Sequence, residues 1–381
     1  MRAPCRRTAV LSLSVMFAAG CGGGSPASKT TPMPACSPAS PSEFAYVLND
    51  SDNTVSMYTV NSCTGDLAPT TPATVATGAN AFGSEQMVAD PTGRFAYVAN
   101  LGSNAADLAT ISMFTINSST GVLTPTTPAT VATGYFPQGI AIDPSGKFVY
   151  TANSDDNTVS MFTINASTGI LTPTTPPSVA TGSSPGFVTV DPSGRFAYVS
   201  NQDDGTVSMY TINSSTGVLT PTTPATVGTG GFPFNPTVDP SGKFVYVPNN
   251  LFNTVSFYTI NSDGTLTSGG IVTTGNGPTW VAVDPSSKFA YVVNRQDNAV
   301  SMFTVNSSTG NLAPNSPATI ATGKQPFPII VDPSGKFVYV GNEADNTVSI
   351  YTLNSDGTLT AAGTATTGSS PTSVAVTVAK Q

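Results

Sequence analysis

The chain has 381 residues, of which 13 are Lys or Arg and 21 are Asp or Glu, and it contains no histidine. Its formal charge of −8 and its scattered cations exclude a nucleic-acid-binding surface, because phosphate contacts require clustered Lys and Arg. The absence of histidine excludes a Ser-His-Asp triad and removes the commonest zinc ligand. β-Branched residues alternate with polar ones, which favours a compact all-β protein over a disordered chain.

Residues 1–20 have the pattern of a bacterial secretory signal. Three arginines precede an apolar run, Ala9–Ala19, that is too short to cross a bilayer. The letters FAAG before Cys21 resemble a lipobox, which predicts cleavage before Cys21 and lipidation of its thiol. An ordinary signal peptide with an incidental cysteine is the alternative. Gly22, rather than Asp, follows the cysteine, and this favours an outer-membrane lipoprotein of the cell envelope that faces the periplasm or the exterior.

Residues 21–42 are rich in Gly, Pro, Ser and Thr and lack periodicity, which indicates a flexible tether. Cys5 would leave with the signal and Cys21 would carry lipid, so Cys36 and Cys63 remain. In an oxidising compartment these two are expected to form a disulfide that pins the tether to the loop around Cys63. Two unpaired surface thiols are the alternative.

A unit of four short strands, well seen at Asp143–Gly169, repeats along the rest of the chain. Its Asp-Pro-Ser-Gly start predicts a type I turn, and Lys147–Asn153 and Thr158–Ile164 alternate in polarity as strands do. Asn165–Gly169 then forms a turn, a Thr/Pro-rich stretch follows, and another short apolar run leads to the next turn aspartate. Four strands per unit are therefore predicted.

Counting the units predicts a seven-bladed β-propeller over residues 43–378. The turn aspartates are spaced 53, 48, 48, 45 and 48 residues apart. They are Asp90, Asp143, Asp191, Asp239, Asp284 and Asp332. The strand that begins at Phe44 has no first strand before it, and Ser373–Val376 is a first strand with no successor. These ends make a seventh unit if the C-terminal strand pairs with the N-terminal three strands, which closes the ring and removes free sheet edges.

The loops of such a propeller fall on two faces, and only one face varies between units. The Asp-Pro-Ser-Gly and Asn-Ser-Ser-Thr-Gly turns share one face and are nearly identical throughout. The other face carries the second-to-third hairpin turns and the connections between blades. Binding residues concentrate on loops of a rigid scaffold, so the tunnel mouth on the variable face is the predicted binding site, and drift of unconstrained loops is the alternative. The predicted binding residues are Gln86, Phe136, Gln138, Phe187, Phe234, Asn235, Trp280 and Phe327.

Four charged residues near this mouth do not repeat between units. These candidate catalytic groups are Glu85, Arg295, Lys324 and Glu343. A carboxylate could activate water while a cation holds an oxyanion, and solvated loop charges are the alternative. The Asp-rich hairpin turns would suit calcium, but Asp is also an ordinary turn residue. No cofactor or metal site is therefore predicted, although a divalent cation in the tunnel stays open.

The repeated units resemble a known family. Asp332–Thr360 is similar to the units of the lactonase-type seven-bladed propellers, which include 6-phosphogluconolactonase-like proteins and carboxymuconate-cyclising enzymes. Tyr97–Asn100 also resembles the Tyr-Val-Thr-Asn repeat of bacterial surface proteins. The resemblance covers about residues 43–378 and implies the fold. Its catalytic members are expected to use His, Arg and Glu at the mouth, and the histidine has no counterpart here. The residues that match the other roles are Glu85, Glu343 and Arg295.

The leading hypothesis is a lipid-anchored extracytoplasmic propeller that acts as a binding or scaffold module. The expected partner is a saccharide, a small molecule or an envelope protein and not a nucleic acid. The protein is expected to be a monomer that meets the membrane only through its N-terminal lipid. The competing hypothesis is a hydrolase that acts on an extracytoplasmic lactone, and a third is a purely structural surface-layer or adhesion module.

Overall fold

A computed structural model describes residues 43–78, 84–102 and 109–378, which form twenty-eight strands and no helix. This part of the chain accordingly contains no helix long and apolar enough to cross a bilayer. The strands form seven antiparallel sheets of four strands each, the blades of the propeller. The predicted signal (1–20), the tether (21–42) and the lipidated Cys21 lie outside the described residues.

Each blade has four strands, which lie side by side in order from the tunnel to the rim. The innermost strands, which contact one another around the ring, are β4 (Ser84–Ala89), β8 (Pro137–Ile142), β12 (Pro185–Val190), β16 (Thr237–Val238), β20 (Pro278–Val283), β24 (Pro326–Val331) and β28 (Pro371–Val378). The second strands are β1 (Glu43–Asn49), β5 (Phe95–Asn100), β9 (Phe148–Asn153), β13 (Phe196–Asn201), β17 (Phe244–Asn249), β21 (Phe289–Asn294) and β25 (Phe337–Asn342). The third strands are β2 (Thr54–Val60), β6 (Thr110–Ile116), β10 (Thr158–Ile164), β14 (Thr206–Ile212), β18 (Thr254–Ile260), β22 (Ala299–Val305) and β26 (Thr347–Leu353). The outer strands are β3 (Leu67–Ala76), β7 (Leu123–Ala132), β11 (Leu171–Ala180), β15 (Leu219–Gly228), β19 (Leu266–Thr273), β23 (Leu312–Ala321) and β27 (Leu359–Thr366).

The two ends of the propeller close the ring as the sequence predicts. β28 pairs antiparallel with β1, with Phe44 opposite Thr377 and Tyr46 opposite Ala375. Blade 1 therefore consists of β28 and β1–β3, and blades 2 to 7 follow in chain order from β4–β7 to β24–β27. This closure confirms the predicted seven-bladed all-β fold.

The aspartate that begins each repeated turn folds it by accepting hydrogen bonds from the backbone. In blade 3, Asp143 is buried, and its Oδ1 accepts the N–H groups of Lys147 and Phe148, both at 2.7 Å. Its Oδ2 accepts the N–H and the hydroxyl of Ser145. A carboxylate that receives several hydrogen bonds can be buried without an ionic partner, which explains why the residue recurs.

A tyrosine on the second strand of each blade joins that blade to the next. Its hydroxyl donates to the carbonyl oxygen of a glycine in the next blade's turn between third and outer strands, at 2.9 to 3.1 Å. The seven pairs are Tyr46–Gly121, Tyr97–Gly169, Tyr150–Gly217, Tyr198–Gly264, Tyr246–Gly310, Tyr291–Gly357 and Tyr339–Gly65. Because the last bond returns to blade 1, the series runs around the whole ring.

Apolar side chains of the second and third strands fill the space between neighbouring blades. Between blades 1 and 2, for example, Tyr46 and Met57 pack in one buried cluster with Val98 and Phe114. A single blade could not bury both of its faces, so the stability of each depends on its neighbours. The core is consequently a ring of interfaces around the tunnel.

Blade 5 departs from the pattern at its innermost strand. β16 has two residues, whereas the other innermost strands have six to eight. Pro236 lacks an N–H group to donate to the ladder, which favours the break. Before the break, the N–H of Phe234 donates to the carbonyl of Pro248 at 2.9 Å, and Asn235 forms a bridge with Trp280 of blade 6. The departure brings the start of blade 5 against blade 6 at the variable face.

Candidate functional site

The two faces of the ring carry different kinds of turn. Arg94, which follows the Asp-Pro-Thr-Gly turn of blade 2, donates to the carbonyl of Ala166 in the third-to-outer turn of blade 3 at 2.9 Å. The repeated turns therefore share a face. At the other end of the strands, Asp156 in a hairpin turn accepts the N–H of Tyr135 in an inter-blade connection at 2.7 Å. The hairpin turns and connections share this second, variable face.

Four aromatic side chains from four successive blades meet at the tunnel mouth of the variable face. This aromatic cluster consists of Phe187, Phe234, Trp280 and Phe327 from blades 4 to 7. The ring of Phe187 lies 5.8, 6.0 and 6.3 Å from those of Phe234, Trp280 and Phe327, and Trp280 meets Phe327 edge to face at 6.1 Å. Such geometry is the preferred packing of aromatic rings. Phe187 and Phe327 are only 2% and 5% exposed, so their neighbours cover most of the expected stacking surface.

The predicted binding residues divide between two cavities. The mouth cavity, of about 350 Å³, is bounded by loops of the variable face and includes Gln138, Phe187, Phe234 and Phe327 in its lining. The tunnel cavity, of about 340 Å³, is bounded by the innermost strands. It includes Gln86, Asn235 and Trp280 in its lining. Phe136 is half-buried and lines neither cavity.

The register of the innermost strands explains this division. Gln86 and Trp280 stand in the ladder opposite Ala99 and Val293, and the irregularity of their strands comes before them. In β12 and β24 the irregularity runs from the first proline to the fourth residue, and Phe187 and Phe327 lie inside it. An irregular segment re-aims side chains relative to a regular ladder.

An Arg–Glu ion pair lies beside the aromatic cluster. Arg295 contacts the carboxylate of Glu343, and its guanidinium lies 5.7 Å from the ring centre of Phe327. The side chain of Glu343 is 12% exposed and that of Arg295 is 36% exposed. Burial raises the pKa of Glu343 above its usual 4.5 and nearby Asp50 adds to this, although Arg295 acts in the opposite direction. The pair gives the mouth cavity a cation and a carboxylate whose pKa is raised.

The positions of Arg295 and Glu343 follow from the repeat, although the sequence alone did not indicate that their side chains pair. Arg295 and Glu343 each follow the Asn that ends a second strand, in blades 6 and 7. Asp50 and Gln202 hold the same position in blades 1 and 4 and also line the mouth cavity. Two further lining residues, Phe232 and Ser370, were not predicted from the sequence. Comparing the residues after these strand-ending asparagines would have found Asp50 and Gln202.

The other two candidate catalytic residues do not complete this site. Lys324 is exposed and lines a neighbouring flank cavity of about 650 Å³, which shares Phe234 and Arg295 with the mouth cavity. Glu85 lies in β4, but its side chain is outside the described residues. Of the four candidates, the structure therefore brings Arg295 and Glu343 together.

The acidic hairpin turns have structural partners. In five blades one turn aspartate accepts a backbone N–H from the adjoining connection at 2.6 or 2.7 Å. These residues are Asp52, Asp156, Asp204, Asp297 and Asp345. Within residues 43–78, 84–102 and 109–378, no group of three or more acidic or sulfur side chains is arranged to hold a metal ion. Cys63 is disulfide-bonded, but Cys36 lies outside these residues, so its pairing with Cys63 stays a prediction.

The sequence matches the family described as lactonase, 7-bladed beta-propeller, over residues 36–180, 174–232 and 236–323. The chain belongs to this lactonase family. The resemblance inferred from the repeated units is thereby confirmed. No functionally curated protein matches the chain.

Solved structures share the fold of this lactonase-family chain at low sequence identity. A protein of Bacteroides fragilis, provisionally named 6-phosphogluconolactonase, has 21% identity and a TM-score of 0.74, covering 88% of this chain and 98% of its own. A periplasmic gluconolactonase of Pseudomonas aeruginosa has 17% identity and a TM-score of 0.74, covering 89% and 100%. A hydrazine synthase of Kuenenia stuttgartiensis has 16% identity and a TM-score of 0.57, covering 77% and 89%. Because one fold carries such different names, function must be argued from the site.

Proposed function

We propose that this lactonase-family propeller binds a sugar or a sugar lactone in its mouth cavity. The observation that carries the proposal is the convergence of the Arg295–Glu343 pair, Gln138 and the half-buried rings of Phe232 and Phe234 on one cavity of about 350 Å³. Sugars present C–H faces that pack on aromatic rings and hydroxyl groups that hydrogen-bond to amide and charged side chains. The mouth cavity offers both surfaces side by side.

The proposal includes an extracytoplasmic location, with a lipid on Cys21 that holds the propeller at the outer membrane. The signal-like residues 1–20 support it, and so does the likeness to a relative that is named a periplasmic gluconolactonase. The described chain enters the ring at Glu43, which lies near the charge of Asp332 in a repeated turn. An anchor that leads into the repeated face would direct the mouth cavity away from the membrane.

Binding is tested by calorimetric titration with D-glucose and with glucono-1,5-lactone. Glu343→Gln is expected to weaken binding about tenfold or more, because a hydrogen bond to a charged group contributes about 1.5–3 kcal/mol. Asp155→Asn is the matched control, since Asp155 is an exposed carboxylate in a hairpin turn of blade 3. Wild-type affinity in Glu343→Gln, or no binding of either compound to the wild type, would contradict the proposed site.

A lactone hydrolase is the second candidate, and the environment of Glu343 favours it. A carboxylate whose pKa is raised is a stronger base than an ordinary one. Glu343 would take a proton from water as the water oxygen attacks the lactone carbonyl carbon, and Arg295 would stabilise the oxyanion. The bond from that carbon to the ring oxygen then breaks, and the ring oxygen takes up the proton.

The pH dependence of hydrolysis tests this second candidate. The base must be ionised, so the rate above the spontaneous rate should rise with pH around a midpoint above 4.5, because the pKa of Glu343 is raised. Glu343→Gln should lower the enzymatic rate, measured above the spontaneous rate, by about a hundredfold or more. Wild-type protein that hydrolyses glucono-1,5-lactone no faster than buffer does would exclude the enzyme and leave the binding proposal intact.

A further inference from the structure

We propose that the flank cavity beside the mouth binds a second sugar unit that carries a carboxylate. The inference rests on the proposed function, since it extends a ligand that starts in the mouth cavity. It narrows the ligand to an acidic oligosaccharide of at least two units. A single sugar or lactone would leave the flank cavity empty.

The two cavities are arranged to hold one continuous ligand. The flank cavity has a volume of about 650 Å³ and the mouth cavity about 350 Å³, and both fall in the size range of small-molecule sites. They share Phe234 and Arg295 in their linings. A ligand that passes Arg295 would therefore occupy both without leaving the protein surface.

The lining of the flank cavity suits hydroxyl groups and one negative charge. Gln296 and Gln325 are exposed amides that line it, together with Asn250. Amides both donate and accept hydrogen bonds, as sugar hydroxyls require. Lys324 adds an ammonium group that forms no ion pair within the described residues, whereas the charge of Arg295 is balanced by Glu343. A carboxylated sugar would supply the missing counter-charge.

The fold does not require a lysine at this position. Ser183 occupies the equivalent position in blade 4, and its N–H donates to Asp204 at 2.7 Å. The N–H of Lys324 donates to Asp345 at the same distance. The backbone hydrogen bond thus forms with either side chain, so it does not explain why this position carries an ammonium group.

The charge of the ligand follows from the groups around Lys324. The carboxylate of Asp345 accepts the N–H of Lys324, and Asp297 lies in the hairpin turn of blade 6 directly before Asn298, whose side chain accepts the N–H of Gln325. A phosphate monoester carries about two negative charges at neutral pH, so one ammonium group would leave it repelled by these aspartates. A carboxylate carries one charge, which Lys324 balances.

The test compares an aldobiouronic acid with its neutral disaccharide and with D-glucose. Wild-type protein should bind the neutral disaccharide more tightly than glucose, and the aldobiouronic acid about threefold more tightly than the neutral disaccharide at low salt. The ratio of the affinity for the aldobiouronic acid to that for the neutral disaccharide should fall to about one in Lys324→Gln, and it should also fall in the wild type as salt is raised. Lys147→Gln, which changes an exposed lysine of the repeated face, should keep the ratio.

Three results would overturn the inference without contradicting the mouth proposal. Equal affinity for glucose and the neutral disaccharide would exclude a second sugar subsite. A charged-to-neutral ratio of about one in the wild type, or a ratio that Lys324→Gln leaves unchanged, would exclude the carboxylate. Failure of glucose, glucono-1,5-lactone and both disaccharides to bind would overturn the mouth proposal as well.

Discussion

On both the repeated and the variable face, aspartate side chains accept hydrogen bonds from backbone N–H groups. The two faces differ in whether neighbouring side chains are also bonded. On the repeated face, Asp143 accepts hydrogen bonds from the backbone and also from the hydroxyl of Ser145. On the variable face, Asp156 and Asp345 each accept one backbone N–H at 2.7 Å, from Tyr135 and Lys324 respectively. A backbone donor places no demand on its side chain. The variable face can therefore change its chemistry while the fold is preserved.

The largest effect is expected from a methyl group added on the repeated face. In Gly121→Ala the new Cβ would lie 2.3 Å from the ring of Phe44, at a φ of +71°. The free energy of unfolding should fall by about 3 kcal/mol, from overpacking and from strain at positive φ. The measurement is urea denaturation.

Gly146→Ala is the matched control for this change. Gly146 also has a positive φ, +67°, but the nearest atom to a new Cβ is 3.7 Å away. Only the backbone cost remains, so a loss of about 1 kcal/mol is expected. An equal loss of unfolding free energy in Gly121→Ala and Gly146→Ala would mean that packing of Gly121 against the neighbouring blade adds nothing to the cost of a side chain at positive φ.

An intermediate effect is expected when an aspartate is removed from each face. Asp143→Ala should lower the free energy of unfolding by about 2–3 kcal/mol, because several backbone donors lose a buried partner. Asp156→Ala should cost about 1 kcal/mol, because Asp156 is exposed and accepts one backbone N–H. Denaturant unfolding of both variants checks the difference, and a larger loss in Asp156→Ala would reverse the comparison of the faces.

The smallest effect is expected where blade 5 already departs from the repeat. Phe252 stands in place of the turn aspartate and is 62% exposed, next to Leu251 at 68%. The N–H of Gly231 donates instead to Thr229 at 3.2 Å. Phe252→Asp offers this N–H the usual acceptor but removes the ring from Gly231, so we expect a change within about 0.5 kcal/mol. A loss of more than about 1 kcal/mol would show that the exposed tip of blade 5 is needed for stability.

Local sequence was sufficient to predict the blades. The Asp-Pro-Ser-Gly turns and the period-two alternation specify short strands, and the split unit at the two ends predicted the pairing of β1 with β28. The turn and alternation signals lie within a few residues of each other, whereas the pairing of the two ends follows from the count of repeated units. The shortened β16 was not predicted, although Pro236 is a visible reason for it.

The sequence by itself determined the number of blades, the closure of the ring and the face on which Arg295 and Glu343 lie. Tertiary structure alone decided that these two side chains pair, because the contact depends on how closely the hairpin turns of the two blades approach. It also decided that Trp280 lines the tunnel while Phe187 lines the mouth. The physical reason is that the direction of each side chain depends on where the innermost strand becomes regular, and packing between blades sets that point.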